Sequence, residues 1–396
     1  MLKNANERMV NYMTIRNFSG NKGEWSEPYV VLKLLADGRL SQADKDMLPS
    51  PDDFANVIKV VRGDTTGTIE EDGAVVFTFE DTFGQCHNLQ TDQTKLAAQA
   101  ARLFKSICAI KKAEGAFELP TEKDDLKFYG FRRLTNPAPK KVKTTKRDLK
   151  LRIKSPKTGV ATLGFSVKSE IGAPPTLLNA SEPTNIIYRV KGLTKVKADA
   201  INALTGPRKI MDRCKAILAN STSIEYESYN SSVFADNLEV VDSALPKMLA
   251  DLVKVHYFQQ ILAPRSPRKV GAFRDADKLS SAVELLSKNE PYVSKGRKNF
   301  CEIKIKRFLR SCALGLMPSE VWDGKDDASG GYIIVLPDGR LVALYVYNTN
   351  LFEKYLYEST IFERASTTRH NYMKLYPDGD TGDYFLKLNL QIRFNR

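Results

Sequence analysis

The sequence predicts an α/β (α+β) protein, a mixed β-sheet flanked by helices, and three observations predict it. β-rich runs and helix-periodic runs are interleaved along the chain, an antiparallel hairpin sits at 148–168, and no internal repeat is visible. Residues Met1–Gly20 are polar and irregular. Trp25, Tyr29, Leu32 and Ala36 then recur at helical spacing, and Asp37-Gly38 supplies the stop. Pro28 is tolerated in the first turn of that helix, where its missing N–H costs little. Glu24 and Glu27 stand at the helix start.

Val57–Val61 and Ala74–Phe79 are strand-forming runs, with Asp72-Gly73 as turn chemistry, and a helix follows around 94–108, continuing to about residue 113. Residues 135–147 form a Pro- and Lys-rich connector that suits either a solvated linker or a phosphate-contacting arm. Asp148–Ile153 alternates in hydrophobicity, Val160–Lys168 is a second strand, and Ser155-Pro156-Lys157-Thr158-Gly159 turns between them. The second half of the chain predicts helices near 196–219, 240–263, 278–288 and 299–315. Strands are expected there at 331–336 and 341–347, turned by Pro337-Asp338-Gly339, and at 384–394.

Composition narrows the function. The 396 residues hold 60 Lys+Arg against 47 Asp+Glu, a formal charge of +13 that attracts polyanions, nucleic acid foremost. With 42% hydrophobic residues the chain can bury a sizeable core as one elaborated domain or two. Its five cysteines are scattered without a C-x-x-C pair, so neither a zinc ribbon nor a disulfide framework is expected, and a reducing compartment is. Met1–Trp25 holds no apolar leader core and no run of about 18 apolar residues occurs, so a cytoplasmic protein with no membrane partner is expected. No G-x-x-x-x-G-K-[ST] phosphate loop is present.

Phosphodiester hydrolysis needs a divalent cation held by carboxylates, an activated water, and a cation to meet the charge developing on phosphorus. The hairpin can supply most of this. Asp148 opens its first strand and Lys168 ends its second, so both can lie at one end of the sheet. The two-residue period of a strand points Ser166 and Lys168 to one face. That is an acid followed by x-Lys, with serine where a second acid usually stands. Glu24, Glu27, Glu170 and Glu182 are candidates for that second acid, and an ordinary half-exposed strand accounts for the same spacing.

Gly164-Phe165-Ser166-Val167-Lys168-Ser169-Glu170-Ile171-Gly172, followed by Thr176–Ser181, resembles the HpaII family of type II restriction endonucleases. The resemblance runs nearly end to end. It includes Gly20–Glu27, Asn237-Leu238 with Asp242 and Leu245-Pro246, Ala313–Pro318 with Trp322-Asp323-Gly324, Gly330–Val335 and the terminal Leu388–Phe394. It implies a PD-(D/E)xK core, Mg²⁺ dependence, a CCGG target in double-stranded DNA and action as a homodimer in a bacterial cytoplasm. A cognate DNA methyltransferase would act on the same site without needing to bind this chain. By carry-over, Asp148 is the central metal-ligating acid and Lys168 the catalytic lysine. Ser166 stands at the second acid's position, which leaves that acid to Glu24, then Glu27, then Glu182, fourteen positions after the lysine. The chain is expected to be a single endonuclease domain over 1–396, with an inserted or N-terminal subregion at about 40–135.

Reading CCGG requires donors for guanine O6 and N7, which arginine forks fit best. Arg364, Arg369, Arg265 and Arg268 are candidates, with Lys141, Lys143, Lys146, Lys295 and Lys298 for phosphates and Asn179 and Asn185 near the active strand. The chief rival is a sequence-specific DNA-binding protein without nuclease activity, which has no need of Asp148, Lys168 and helix acids together. His370-Asn371 is too little for an HNH nuclease, and Gly331-Tyr332-Ile333 with Tyr345-Val346-Tyr347 is more simply a half-buried sheet than a GIY-YIG hairpin. His256 lies in an apolar run and is expected in the core. No RRM or KH signature points to RNA.

Overall fold

The computed structural model describes residues 18–111, 115–137, 145–263, 277–296 and 299–395. Its architecture is mixed α+β, and the chain divides into two compact units. The first runs to Pro175 and takes in Asp326–Phe352; the second comprises Thr176–Lys325 and Glu353–Asn395.

The first unit is built on a nine-stranded sheet. Its order is Arg39–Ala43, Leu341–Tyr345, Gly331–Val335, Gly159–Ser169, Leu149–Ser155, Pro49–Val61, Thr66–Ile69, Ala74–Glu80, Cys86–Asp92. The expected hairpin lies in the middle, in antiparallel register from Leu149↔Phe165 to Ser155↔Gly159. Strands from 39–92 extend the same sheet, Pro49–Val61 pairing directly with Leu149–Ser155. Gly331–Val335 runs parallel to the hairpin's second strand. Gly331–Val335 and Leu341–Tyr345, expected to be half-buried, are buried at every residue, so both faces of the sheet are covered at these central strands.

The helix Lys22–Asp37 carries the predicted apolar face, with Trp25, Tyr29, Leu32, Leu34 and Leu35 buried. Full burial of a leucine side chain contributes about 1.5–3 kcal/mol, so Leu34 and Leu35 alone anchor this helix firmly. Asn21 caps its start, and Gly38 ends it at φ 64°, a left-handed conformation that glycine adopts without strain. Trp25 Nε1 donates to Phe117 O at 3.1 Å. Ser26 Oγ, whose proton goes to Lys22 O, lies 2.9 Å from Ser169 Oγ and accepts from it, tying the helix to the end of the hairpin.

The second unit holds a four-stranded antiparallel sheet, Ser223–Tyr229, Asn185–Lys191, Tyr384–Asn389, Leu375–Pro377, and a three-stranded sheet, Thr176–Leu178, Ile392–Phe394, Thr360–Phe362. Helices pack beside them. The helix expected at 196–219 is two, Lys195–Ala203 and Lys209–Asn220, because Gly206-Pro207 interrupts the ladder. The helix expected from 240 begins at Leu245 with Pro246 in its first turn, after a separate helix Ser232–Val241. His256 is buried, as its apolar surroundings predict, with Nδ1 2.5 Å from Gln260 Oε1. No helix among the described residues is long and apolar enough to cross a membrane.

Candidate active site

The site forms where the hairpin's open end meets the first helix. Asp148 stands one residue before the first strand, and its N–H already donates to Phe165 O at 2.8 Å, so the ladder fixes its backbone. The turn before it is held by Asp327, whose carboxylate accepts from Lys146 N at 2.7 Å and Arg147 N at 3.2 Å and pairs with the Arg147 guanidinium. Gly164 makes this possible: a Cβ there would stand 2.5 Å from Asp327 O.

Asp148 Oδ2 accepts from Ser166 Oγ at 3.0 Å and from Val167 N at 2.6 Å. Lys168 Nζ donates to the same Ser166 Oγ at 2.9 Å and lies 5.0 Å from the centroid of the Tyr332 ring. Ser166 is therefore the link between the acid and the lysine, and it does this as a neutral group. Asp148 Oδ1 accepts no hydrogen bond among the described residues.

Glu27 brings a second carboxylate close to Asp148. Its Oε2 accepts from Asn136 N at 2.9 Å and lies 4.0 Å from Arg62 Nη1. Burial first, and then the charge of Asp148, push the Glu27 carboxyl up from 4.5 to about 8, against the opposing pull of Arg62, the Asn136 N–H and Lys168. Burial likewise holds the Lys168 ammonium below its usual range, while Asp148 and Glu27 pull it back up. Two acids thus share a site that the nearby cations under-compensate. Arg62 is itself fixed: it is 6% exposed, pairs with Asp64 at 2.9 Å, donates to the carbonyls of Arg133, Leu134 and Thr135, and stacks on Phe131. It thereby sets the position of the segment that presents Asn136 N to Glu27.

Glu24 sits at the start of the same helix. Its Oε2 accepts from Asn21 N at 2.7 Å while Asn21 Oδ1 accepts from Glu24 N, a reciprocal capping box that ties one oxygen of the carboxylate the sequence placed first to its own helix start. Glu27, one turn later, is the helix acid beside Asp148. Glu182 belongs to the second unit. Asn185 is buried and spends its side chain on His370 O and Asn389, which removes it from the DNA candidates. Arg265, Arg268, Lys141, Lys143 and Lys298, and Lys295 by its side chain, lie outside the described residues. Asn179, Arg364 and Arg369 line one cavity of the second unit. Arg62, Asn136, Asp327 and Tyr332 were not legible as site residues, since each reaches the site through tertiary contact alone.

Comparison with known proteins decides the family. The profile of the HpaII restriction endonuclease family matches residues 21–394. The chain belongs to that family. It is 33% identical over 386 residues to the Type II restriction enzyme HpaII of Haemophilus parainfluenzae, covering 95% of this chain and 99% of the relative. No solved structure matches. As a family member the chain is a site-specific endonuclease acting on double-stranded DNA, and Glu27, Asp148, Ser166 and Lys168 all lie within the matched span.

Proposed function

We propose that the chain is a Mg²⁺-dependent type II deoxyribonuclease that cuts duplex DNA at CCGG as a homodimer, using a PD-(D/E)xK-type core. Asp148 and Glu27 are its metal-holding acids and Lys168 its catalytic lysine. The observation that carries this reading is the chain Lys168 Nζ–Ser166 Oγ–Asp148 Oδ2 with the Glu27 carboxyl beside it. The donor set fits the cation: each carboxylate keeps one oxygen without a described hydrogen bond, and their mutual repulsion is what a divalent charge relieves. Mg²⁺ commonly uses one or two carboxylates and completes its shell with water and phosphate oxygens, so no third acid is needed. Among the described residues no group of three or more His, Cys, Asp or Glu side chains is arranged to hold a metal.

When bound, the cation supplies Lewis acidity at the scissile phosphate. The protein's own groups do the rest. Ser166 holds the Lys168 ammonium at the acid's edge, where its protons can orient the attacking water and meet the charge developing on the phosphate. The Val167 N–H and Ser166 O–H fix Asp148 in one rotamer. The Asn136 N–H does the same for Glu27. CCGG reads identically on both strands, so two copies of one site cutting one strand each match its two-fold symmetry. The target itself is supported by the resemblance of the sequence blocks.

Asp148→Ala tests the assignment. Cleavage should be abolished while specific duplex binding remains measurable; equal loss of both would sink the role given to Asp148.

A further inference from the structure

We infer that the cavity of the second unit reads the edge of a C·G base pair, so that recognition and cleavage are carried by different units. The inference rests on the endonuclease reading above. The cavity holds about 450 Å³, within the range of ligand sites, and lies entirely inside this unit. Its lining is polar, with Arg364, Arg369, Glu363, Asn179 and Gln391 among it.

Charge is the first argument. Arg189 is committed to Glu227 and Asp378, Arg213 to the carbonyls of Met373, Asn202 and Leu204, and Arg393 to Glu363 at 2.7 Å; Arg208 and Arg307 are exposed like Arg364 and Arg369 but do not line the cavity. Arg364 and Arg369 are exposed and engage no carboxylate among the described residues. Two guanidinium forks, five positions apart on one loop, are left for a partner outside the chain.

Rigidity is the second. The loop is fixed by Glu363 N to Gln391 O at 3.1 Å, His370 N to Ser366 O at 3.1 Å, Tyr372 Oη to Ala365 O at 2.8 Å, Met373 N to Lys387 O at 2.9 Å and Asn185 Nδ2 to His370 O at 2.9 Å. These bonds hold Asn371 at φ 47° and Met373 at φ 62°, conformations that side chains rarely adopt unaided. A loop ordered before binding loses little freedom on binding, which suits readout.

The lining also distinguishes a base from a bare phosphate. Glu363, paired with Arg393 through Oε2, keeps Oε1 without a described hydrogen bond, an acceptor that a phosphodiester, having no donor, cannot use. It accepts from cytosine N4, while an arginine fork donates to guanine O6 and N7, the two halves of the C·G major-groove pattern.

The test uses the full-length Asp148→Ala protein without cleavage. Binding is measured by fluorescence anisotropy on a duplex carrying the site mapped from the wild type's own fragments, and on a scrambled duplex of equal composition. Arg364→Ala and Arg369→Ala should each weaken binding to the mapped site by roughly 5- to 100-fold and leave the scrambled duplex nearly unchanged. Arg364→Lys, which keeps charge and loses the fork, should do the same with an unaltered salt slope. Placing 7-deazaguanine in the mapped site should cost the parent affinity and cost the variants less. Equal losses on both duplexes, with the salt slope shallower by about one, would mean phosphate contact only and overturn the inference. Unchanged discrimination would overturn it as well. A parent that does not distinguish the two duplexes would overturn this inference alone, whereas a wild type that yields no discrete fragments to map would overturn the endonuclease reading on which it rests.

Discussion

Replacing Glu27 by Gln removes the one carboxyl in the site that the metal-free protein resists ionising. Its folded-state value of about 8 stands above the 4.5 of the unfolded chain. Between those two values the folded protein keeps a proton that the unfolded chain releases, so stability is fully present at low pH and declines as pH rises through this window. For a carboxyl moved from 4.5 to about 8, the loss between pH 6 and pH 8 is about 2 kcal/mol, and Glu27→Gln does not suffer it. Urea unfolding of both proteins in EDTA at pH 6 and pH 8 measures this directly, since slopes scale with exposed surface and should match. The variant's advantage should grow by about 2 kcal/mol from the lower to the higher pH. Mg²⁺, which needs the ionised carboxylate, should stabilise the wild type more at pH 8 than at pH 6 and the variant little at either. Parallel wild-type and variant stabilities across this range would refute the placement of Glu27 beside Asp148.

Three further outcomes follow from the same geometry. Ser166→Ala removes the acceptor of Lys168 and a donor to Asp148, and should lower the cleavage rate roughly 10- to 100-fold with the fold intact, read by single-turnover cleavage and circular dichroism. Arg62→Met leaves Asp64 buried without its partner and should destabilise the protein by about 3–5 kcal/mol in urea; a loss under 1 kcal/mol would contradict the role given to that network. Gly164→Ala forces Asp327 away from the turn before Asp148, so cleavage should fall far more than stability does, measured side by side on one preparation.

The sequence makes the hairpin and the first helix legible because both depend on local chemistry. Asp148 and Lys168 come together through a turn that Ser155-Pro156 and Gly159 announce, and the observed strands, Leu149–Ser155 and Gly159–Ser169, differ from expectation by a residue or two. The capping role of Glu24, which the sequence ranks ahead of Glu27 as the second acid, was also written locally. Asn21 stands three residues before Glu24, the spacing of a capping box, and a glutamate used by its own helix start is less available to a metal. Arg62 and Asn136 could not be read this way, because they reach Glu27 from 35 and 109 positions away across separate elements. In the second unit, strands such as Thr176–Leu178 and Thr360–Phe362 have three residues each, too few for alternation to show. The division into two units is equally hidden, since the chain leaves the first after Pro175 and returns at Asp326.

The central claim is tested most directly by incubating the purified protein with a plasmid of mapped CCGG sites, in Mg²⁺ and in EDTA, beside Lys168→Ala. Discrete fragments ending at those sites in Mg²⁺, and intact plasmid in EDTA and with the variant, are the predicted result. Plasmid retained without cutting in Mg²⁺, or a Lys168→Ala protein that cuts as the wild type does, would contradict it.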